Sequence, residues 1–319
     1  MRIEFNSKFV WMSFWLLVIF GIFLAFIAFW YEPRSLVVKE VKIESPHWHG
    51  KPIRIALISD IHADNFHMPL SRVKSIVAQT NSLNPDLVFL GGDYAGGHFG
   101  ESHLPKVKFH NRSREDNQLH RDEIIAFNPL AENTRLGAIA IMGNHDCWWS
   151  CDETRKAFSQ TKVAFLENRN LHIQQLGWDF WVIGLEDDYS QRPDYRFQFS
   201  QIPSGADVLT LAHNPRLFNL PEASMVFSSR SNSPNIQFSG HSHGGQVRFP
   251  IIGAPVTSTL YTEETIDGFM IENSRALIVT SGLGETGLPV RFGTPPEIMV
   301  IELKHGANAV GSSRRIKLR

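Results

Sequence analysis

The sequence lacks three features that mark common classes of protein. It has no excess of either charge, with 31 Lys and Arg against 32 Asp and Glu among 319 residues. A nucleic-acid-binding protein needs a basic surface, so this balance argues against nucleic acid as the main partner. Two cysteines are too few for a disulfide framework, and the sequence contains no internal repeat and no low-complexity segment. The length suits one large globular domain or two small ones.

One long apolar run, from Phe9 to Tyr31, contains no charged residue. As a helix it would rise roughly 34 Å at ~1.5 Å per residue, enough to cross a hydrocarbon core of about 30 Å. Tryptophan and tyrosine lie toward both of its ends, as in the aromatic belts of membrane proteins. A cleaved signal peptide is the alternative, but it needs small residues at the cleavage site, where this run has bulky ones. The run therefore predicts a retained, single-pass membrane anchor.

The anchor divides the chain into four predicted parts. These are a short tail over residues 1–8, the membrane helix over residues 9–31, one soluble domain over residues 35–305 and a basic, solvated tail over residues 306–319. Basic residues are nearly balanced on the two sides of the anchor, so the positive-inside rule leaves the orientation open.

Within the domain, apolar segments of strand length alternate with a segment whose apolar residues have helical spacing. Strand patterns cover residues 54–59, 86–90 and 138–142, and a helical pattern covers residues 70–83. A strand–helix–strand order predicts parallel strands whose following loops lie at one edge of a sheet. The second half of the chain is rich in strand patterns. We therefore expect an α/β domain with two packed sheets and outer helices.

Residues able to bind a metal follow the apolar segments directly. They form five blocks: Asp60-Ile61-His62, Asp93, Asn144-His145-Asp146, His213 and His241-Ser242-His243. Because the carboxyl ends of parallel strands meet at one edge, these side chains can converge. Imidazole, carboxylate and amide ligands suit Mn, Fe or Zn better than a thiolate-binding metal. The last block alone also fits a glycine-rich turn with two surface histidines, but five blocks in this order favour a metal site.

The order of these blocks resembles that of the calcineurin-like metallophosphoesterase family, over roughly residues 53–303. The resemblance implies a four-layer α/β/β/α sandwich and a two-metal centre that hydrolyses phosphoester or pyrophosphate bonds. Two cations side by side can stabilise charge on both the attacking and the leaving oxygen. Manganese is the expected metal, with iron or zinc as alternatives.

The resemblance also implies roles for individual residues. Asp60, His62 and His243 would hold one metal, Asn144, His213 and His241 would hold the second, and Asp93 would bridge the two. His145 would act as a general acid or as an electrostatic stabiliser, and Asp146 would orient it.

The anchor, together with Gly244-Gly245-Gln246 and residues 280–284, resembles a bacterial group of membrane-associated phosphodiesterases. UDP-2,3-diacylglucosamine pyrophosphatase of lipid A synthesis is a member of that group. This implies a lipid-linked substrate at the inner membrane, with the domain on the cytoplasmic face if the lipid is UDP-linked. A soluble phosphorylated substrate and a non-catalytic, metal-stabilised scaffold are the alternatives. We expect no nucleic acid and no obligate protein partner. The segment between Asp93 and Asn144 is long for this group, which leaves the substrate open.

Two further segments have structural interpretations. Residues 95–135 are polar and charged, so a solvated insertion or lid is expected, and a substrate cap using Arg112, Arg114 and Arg121 is the alternative. Cys147 and Cys151 follow the third block, and we expect two packed thiols, with a disulfide as the alternative. A short helix is predicted over residues 152–160, with Asp152 as its N-cap.

Overall fold

The first half of the chain alternates strands with helices, as the spacing of its apolar residues predicts. The structure is a computed structural model that describes residues 7–46, 48–96, 113–219, 235–255, 263–272, 275–307 and 310–317. It begins with α1 (Ser7–Phe26), which continues as a π-helical turn over Ile27–Tyr31. The next elements are β1 (Val37–Ser45), β2 (Ile53–Ile58), α2 (Leu70–Ser82), β3 (Leu87–Leu90), α3 (Arg114–Ala126), α4 (Asn128–Asn133), β4 (Ala138–Ala140) and α5 (Asn144–Phe158).

The second half consists mainly of strands. Its elements are β5 (Ala164–Phe165), β6 (Arg169–Gln175), β7 (Trp178–Gly184), α6 (Tyr195–Ser200), β8 (Val208–Leu211), β9 (Asn235–Ser239), α7 (Glu263–Ile266), β10 (Gly268–Glu272), β11 (Arg275–Val279), β12 (Glu297–His305) and β13 (Val310–Lys317).

The strands form two sheets. One has the order β13-β1-β12-β2-β3-β4-β5, and the other has the order β10-β11-β9-β8-β7-β6. Strands β2 to β5 run parallel, and so do β7, β8, β9 and β11. The carboxyl ends of each parallel set therefore lie together, and it is there that the five blocks follow the strands.

Alternating side chains of the central strands bury both faces of the first sheet. Ile55 and Leu57 of β2 lie in the core between the sheets, whereas Ala56 and Ile58 lie in the core beneath helices α2 to α5. Phe89 of β3 packs edge-to-face on Phe238 of β9 across the inter-sheet core, with ring centroids 4.9 Å apart.

The fourth layer covers the outer face of the second sheet. Phe199 of α6 and Leu217 of the short 3-10 helix over Pro215–Asn219 belong to the core there. The layers are thus helix, sheet, sheet and helix, which confirms the expected α/β/β/α sandwich.

The end of the chain differs from the expected solvated tail, because residues 310–317 form β13, antiparallel to β1. Arg314 pairs with Glu40 at 2.5 Å and Arg315 pairs with Asp267 at 2.9 Å. The basic side chains that suggested a solvated tail therefore meet acidic residues of the domain, and the sheet gains an edge strand.

The polar insertion also differs from the expected solvated segment, since residues 114–133 form α3 and α4 in the helical layer. Ser113 caps α3, where its Oγ accepts a hydrogen bond from the Asp116 backbone N–H at 3.0 Å. The buried face of α3 is largely polar, and Asn117 accepts a hydrogen bond from Trp149 Nε1 at 2.8 Å. Arg121 pairs with Glu153 at 2.8 Å. Residues 97–112, including Arg112, lie outside the described residues.

Helix α1 is apolar on all sides, and its large side chains are exposed. Within the described part of the chain, Lys8–Arg34 is the one helical segment long and apolar enough to cross a membrane, and it is a candidate span. Its end is attached to the domain at two points. The Arg291 backbone N–H donates to the Ala28 carbonyl at 2.9 Å, and the Arg72 guanidinium donates to the Pro33 carbonyl.

A fully buried arginine organises the loop between β11 and β12. The Arg291 side chain donates to the carbonyls of Thr294 at 2.8 Å, Ser281 at 2.9 Å and Gly284 at 2.5 Å. Glu285 Oε1 lies 3.7 Å from its Nε. Because a guanidinium stays charged even when buried, these carbonyls and this carboxylate stabilise it inside the protein.

Replacing Arg291 with leucine should lower the free energy of unfolding by about 3–5 kcal/mol, because it leaves buried carbonyls and a buried carboxylate unpaired. Urea unfolding of the full chain in detergent measures the change. Arg135→Leu is the control, because this exposed side chain pairs with Asp86 and should contribute about 1 kcal/mol or less. Equal destabilisation by the two variants would contradict the role given to Arg291.

Candidate metal centre

The predicted ligands lie where the carboxyl ends of the parallel strands of both sheets meet. Asp60 and His62 follow β2, Asp93 follows β3 and Asn144 begins α5 after β4; His213 follows β8, and His241 and His243 follow β9. All are buried except His241, which is partly exposed. The structure thus places the seven residues at this edge, and the possible ligand atoms of the four histidines and two aspartates among them lie close together.

The nitrogen and oxygen atoms form two groups that match the predicted ligand sets, and a third group that overlaps both consists of His62, Asp93 and His145. In the first group, His62 Nε2 lies 3.1 Å from His243 Nε2, which lies 3.5 Å from Asp60 Oδ1. In the second group, His213 Nε2 lies 3.1 Å from His241 Nδ1 and 3.1 Å from Asp93 Oδ2. Each group has the size of a site for one cation.

Asp93 lies between the two groups. The same Oδ2 atom that contacts His213 is 3.6 Å from His62 Nε2. One carboxylate therefore reaches both groups, which is the arrangement that a bridging ligand requires.

Backbone carbonyls fix the orientation of two histidine rings. His213 Nδ1 donates to the Gly91 carbonyl at 2.8 Å, and His243 Nδ1 donates to the Gly284 carbonyl at 3.2 Å. Because a carbonyl can only accept, the second nitrogen of each ring, Nε2, is directed at the site.

Burial keeps three of the imidazoles neutral. It lowers the pKa of His62 and His243 well below the usual value and the pKa of His241 to about 3. A neutral ring offers the lone pair that a cation needs. His213 differs: burial opposes its charge, but Asp93 raises the pKa of His213 well above the usual value. A cation would have to displace this proton, so metal binding is coupled to proton release.

Asn144 gives an independent indication of a cation. Its Oδ1 atom is buried and accepts no hydrogen bond from the described residues. An amide oxygen left in this state costs about 1–3 kcal/mol, a cost that coordination would remove. Together with the neutral imidazoles and the carboxylates, this oxygen gives a nitrogen and oxygen donor set that fits divalent Mn, Fe or Zn.

The backbone is strained at five of the seven residues. The φ angle is positive at Asp60 (53°), His62 (47°), Asp93 (54°), His241 (68°) and His243 (52°). Side chains other than glycine rarely adopt this region, at a cost on the order of 1–3 kcal/mol each. Gly240 is needed beside them, since a Cβ atom there would lie 2.1 Å from Asp60 Oδ2.

The sequence interpretation gives Asp146 the role of orienting the His145 ring, whereas in the structure its carboxylate binds backbone N–H groups. Its Oδ2 accepts hydrogen bonds from the backbone N–H groups of Asp93 at 2.9 Å and Gly143 at 2.8 Å. Its Oδ1 accepts from Tyr94 at 2.8 Å and Ala95 at 3.1 Å. Four bonds fill the acceptor capacity of a carboxylate. Asp146 therefore positions the loops that carry Asp93 and Asn144.

His145 lies beside both groups. Its backbone N–H donates to Asp93 Oδ1 at 2.8 Å. Its ring meets the His62 ring edge-to-face at 4.6 Å and lies 4.6 Å from the Trp148 ring. The ring is thus held in a fixed position between the rings of His62 and Trp148.

Cys147 and Cys151 form a disulfide, so the expected pair of packed thiols is wrong. The Cα atoms of the two cysteines lie 4.1 Å apart, closer than residues four apart in a continuous helix. The helix is interrupted between them at Ser150, whose Oγ accepts from the Glu153 N–H at 3.3 Å. Ser150, rather than Asp152, thus caps the second part of α5.

The sequence interpretation missed a polar rim next to His241. The Tyr189 ring stacks on the His241 ring at 5.2 Å, and the Arg216 guanidinium lies 4.7 Å from the centre of the Tyr189 ring. Asp188 accepts hydrogen bonds from Arg216 and from Asn214. Arg216 follows His213 by three residues, which is a usable signal, whereas nothing in the sequence marks Tyr189.

Comparison with known proteins gives one family. Residues 53–245 match the family described as calcineurin-like phosphoesterase. YkuE of Bacillus subtilis, an uncharacterized metallophosphoesterase, is 28% identical over 282 residues, covering 86% of this chain and 87% of its own. The phosphodiesterase YaeI of Escherichia coli is 26% identical over 267 residues, covering 80% of this chain and 83% of its own. A zebrafish transmembrane protein with a metallophosphoesterase domain is 25% identical and covers 86% of this chain, which spans 58% of that relative.

Solved structures give weaker matches. The calcineurin-like phosphoesterase YfkN of Bacillus subtilis aligns with a TM-score of 0.42 and 13% identity, over 84% of this chain and 91% of its own. A zebrafish dimetal phosphatase aligns with a TM-score of 0.42 and 11% identity, over 72% of this chain and 88% of its own. The family match spans more than half of the 319 residues, and the chain therefore belongs to the calcineurin-like phosphoesterases, which are metal-dependent phosphoester hydrolases.

Proposed function

We propose that the chain is a membrane-anchored, two-metal hydrolase of phosphodiester or pyrophosphate bonds in lipid-linked substrates. The observation that supports this most is the position of Asp93 Oδ2, which is 3.1 Å from His213 Nε2 and 3.6 Å from His62 Nε2. A carboxylate there can join two cations. When bound, two divalent cations would supply charge that stabilises both the attacking and the leaving oxygen of the phosphoryl group.

The ligand assignment follows the two groups of atoms. Asp60, His62 and His243 hold one cation, Asn144, His213 and His241 hold the other, and Asp93 bridges them. Manganese is the metal we favour, with iron or zinc as alternatives, because each accepts imidazole together with oxygen ligands.

His145 is the proton donor in this proposal. Its backbone is fixed by Asp93 and its ring by His62 and Trp148, so the imidazole has a defined position beside the predicted ligands. An imidazole there donates a proton to the departing oxygen as the phosphoester bond breaks. The Arg216 guanidinium is partly exposed, and its positive charge can bind oxygens of the substrate. A non-catalytic scaffold is disfavoured, because it would need neither group.

The candidate lipid substrates differ in the side of the membrane on which the domain must lie. UDP-2,3-diacylglucosamine, the substrate suggested by the resemblance, requires a domain on the cytoplasmic face of the inner membrane. The Cys147–Cys151 disulfide instead favours an oxidising compartment. A lipid-linked phosphodiester or pyrophosphate outside the cytoplasm fits the disulfide, whereas a UDP-linked lipid does not.

The proposed activity is tested with the Mn-loaded full chain and a soluble aryl phosphodiester. Hydrolysis that stops on chelation and returns with Mn supports a two-metal hydrolase. A fully metal-loaded protein without turnover on phosphodiesters, phosphomonoesters or pyrophosphates would favour the scaffold.

Replacing Asp93 with alanine or asparagine should reduce hydrolysis to the level of the metal-free protein, because the bridging carboxylate is lost. Metal analysis of the purified variants should show fewer than two bound ions per chain. Asp179→Asn is the matched control, since this exposed carboxylate lies on β7 and pairs with His172. Full metal content and full rate in Asp93→Ala would show that the ligand assignment is wrong.

Replacing His145 with alanine should lower kcat by ~10²–10⁴, the range for a positioned acid–base group, with two metals still bound. The limb of the pH–rate profile that reports the general acid should flatten. His172→Ala, on β6, provides a histidine control outside the site. Loss of metal together with rate would make His145 a ligand instead.

Removing residues 1–26 should release a folded enzyme, because Ala28 and Pro33 keep their contacts with the domain. Turnover of the soluble aryl phosphodiester should not change. Turnover of a lipid phosphodiester in vesicles should fall by ~10²-fold or more, because the anchor raises the local concentration at the bilayer. Equal rates on the vesicle substrate would count against a lipid-linked substrate. A cell-derived N-terminus mapped beyond Tyr31 would identify the segment as a cleaved signal.

A further inference from the structure

The end of the apolar helix and the metal site lie at the same edge of the seven-stranded sheet. Strand β1 runs parallel to β12, and β12 runs antiparallel to β2, so β1 begins where β2 ends. In this register Val37 pairs with Glu297, and Met299 pairs with Leu57. Only residues 32–36 separate the helical segment from β1. The end of the helix therefore lies at the sheet edge that carries Asp60 and His62.

One residue links the helix end to a predicted ligand. The Arg291 backbone N–H donates to the Ala28 carbonyl, and its guanidinium donates to the Gly284 carbonyl. The same Gly284 oxygen accepts from His243 Nδ1 at 3.2 Å. The contact between the anchor and the domain is thus two hydrogen bonds away from the metal site.

An exposed apolar turn over residues 249–253 is attached to Phe292, the residue that follows Arg291. Two backbone hydrogen bonds between Phe249 and Gly253, of 2.8 and 3.0 Å, close the turn and place Ile251 (97% exposed) and Ile252 (76% exposed) at its tip. The turn is attached to Phe292, whose carbonyl accepts from the Arg248 N–H at 2.6 Å and whose ring lies 5.5 Å from the Phe249 ring.

Two more exposed apolar side chains, Leu288 and Phe66, lie in segments that contain or contact the residues bound to the helix end. Leu288 lies in the loop of Arg291, and its carbonyl accepts from Gln246 Nε2 at 3.3 Å. Phe66 precedes His67, whose carbonyl accepts from the Arg72 guanidinium, and this guanidinium also donates to Pro33. We name the four side chains Phe66, Ile251, Ile252 and Leu288 the apolar rim.

We propose that the apolar rim is a second membrane contact, inserted among the headgroups of the bilayer that α1 spans, and that it holds the metal site against the bilayer surface. This inference rests on the proposed anchoring role of α1. The residues at the helix end support lipid as the occupant. Trp30 and Tyr31 are exposed there, and the Arg34 guanidinium lies 3.8 Å from the Trp30 ring centre. Aromatic and basic side chains of this kind mark the boundary between lipid and water.

The rim also defines the substrate class more narrowly than the anchor does. With the carboxyl edge of the sheets turned toward the bilayer, the site meets phosphoester groups at headgroup depth. The substrate is then an amphiphile that is hydrolysed while its apolar chains stay in the membrane.

Fluorescence of the full chain in nanodiscs of phosphatidylcholine and phosphatidylglycerol tests the rim. Ile251→Cys carries an environment-sensitive dye, and the disulfide keeps the two native cysteines from reacting. We expect a blue shift of the emission and quenching by lipids that are spin-labelled near the headgroup. Leu176→Cys is the control, because this exposed apolar residue lies in the β6–β7 turn, at the edge opposite the metal site.

Dye at Phe20→Cys, in α1, separates the two proposals. Quenching of this dye by lipids labelled deep in the acyl chains supports the anchor, and its absence refutes the proposed anchoring. A quenched Phe20→Cys with a water-exposed Ile251→Cys would overturn the rim alone. Shielding of Ile251→Cys only when a nanodisc holds two chains would show that a second copy covers the rim, which also overturns the proposal.

Activity gives a second readout. In Ile251→Asp, the ratio of turnover on a vesicle-embedded phosphodiester to turnover on the soluble aryl phosphodiester should fall several-fold. Leu176→Asp should leave the ratio unchanged. An unchanged ratio in Ile251→Asp would contradict a membrane contact at the turn.

Discussion

The carboxylate of Asp146 holds together two loops that the strands only bring near each other. Its four hydrogen bonds join the backbone of residues 93–95 to Gly143. Hydrogen bonds contribute on the order of 0.5–1.5 kcal/mol each, and here they act where no sheet ladder does. Asp146 shares the positioning of Asp93 with the backbone N–H groups of Ile61 and His62, which both donate to the Asp93 carbonyl.

The geometry of the site opposes the stability of the metal-free chain. Positive φ angles, neutral buried imidazoles and the unpaired Asn144 oxygen all raise the free energy of the folded protein without its cations. Bound cations would offset part of this cost, because coordination would satisfy the oxygen and use the imidazole lone pairs. Folding and metal binding are therefore coupled, and the buried sheets are what hold the strained loops in the absence of metal.

The sequence predicted the fold and the gathering of the ligands, because both follow from buried strands that end in polar residues. It did not predict α3, whose buried face is polar and stabilised by contacts such as that of Asn117 with Trp149. Strand β13 was also missed, since basic residues suggest solvent unless acidic partners are known. Tyr189 reaches the site only through the tertiary fold, so local patterns could not mark it. The assignment of each ligand to a particular metal stays a prediction.

The short connection between α1 and β1 gives the enzyme a fixed reach. Residues 32–36 contain a 3-10 turn with a buried proline; Arg72 binds the Pro33 carbonyl in this turn, and Arg291 binds the Ala28 carbonyl in the helical segment before it. If α1 spans a bilayer as proposed, a domain mounted in this way could not rise or swing freely above it, as it would on a long linker. On the proposed anchor, the chain would work as a molecular ruler, because its site would meet phosphate groups at one height above the acyl chains.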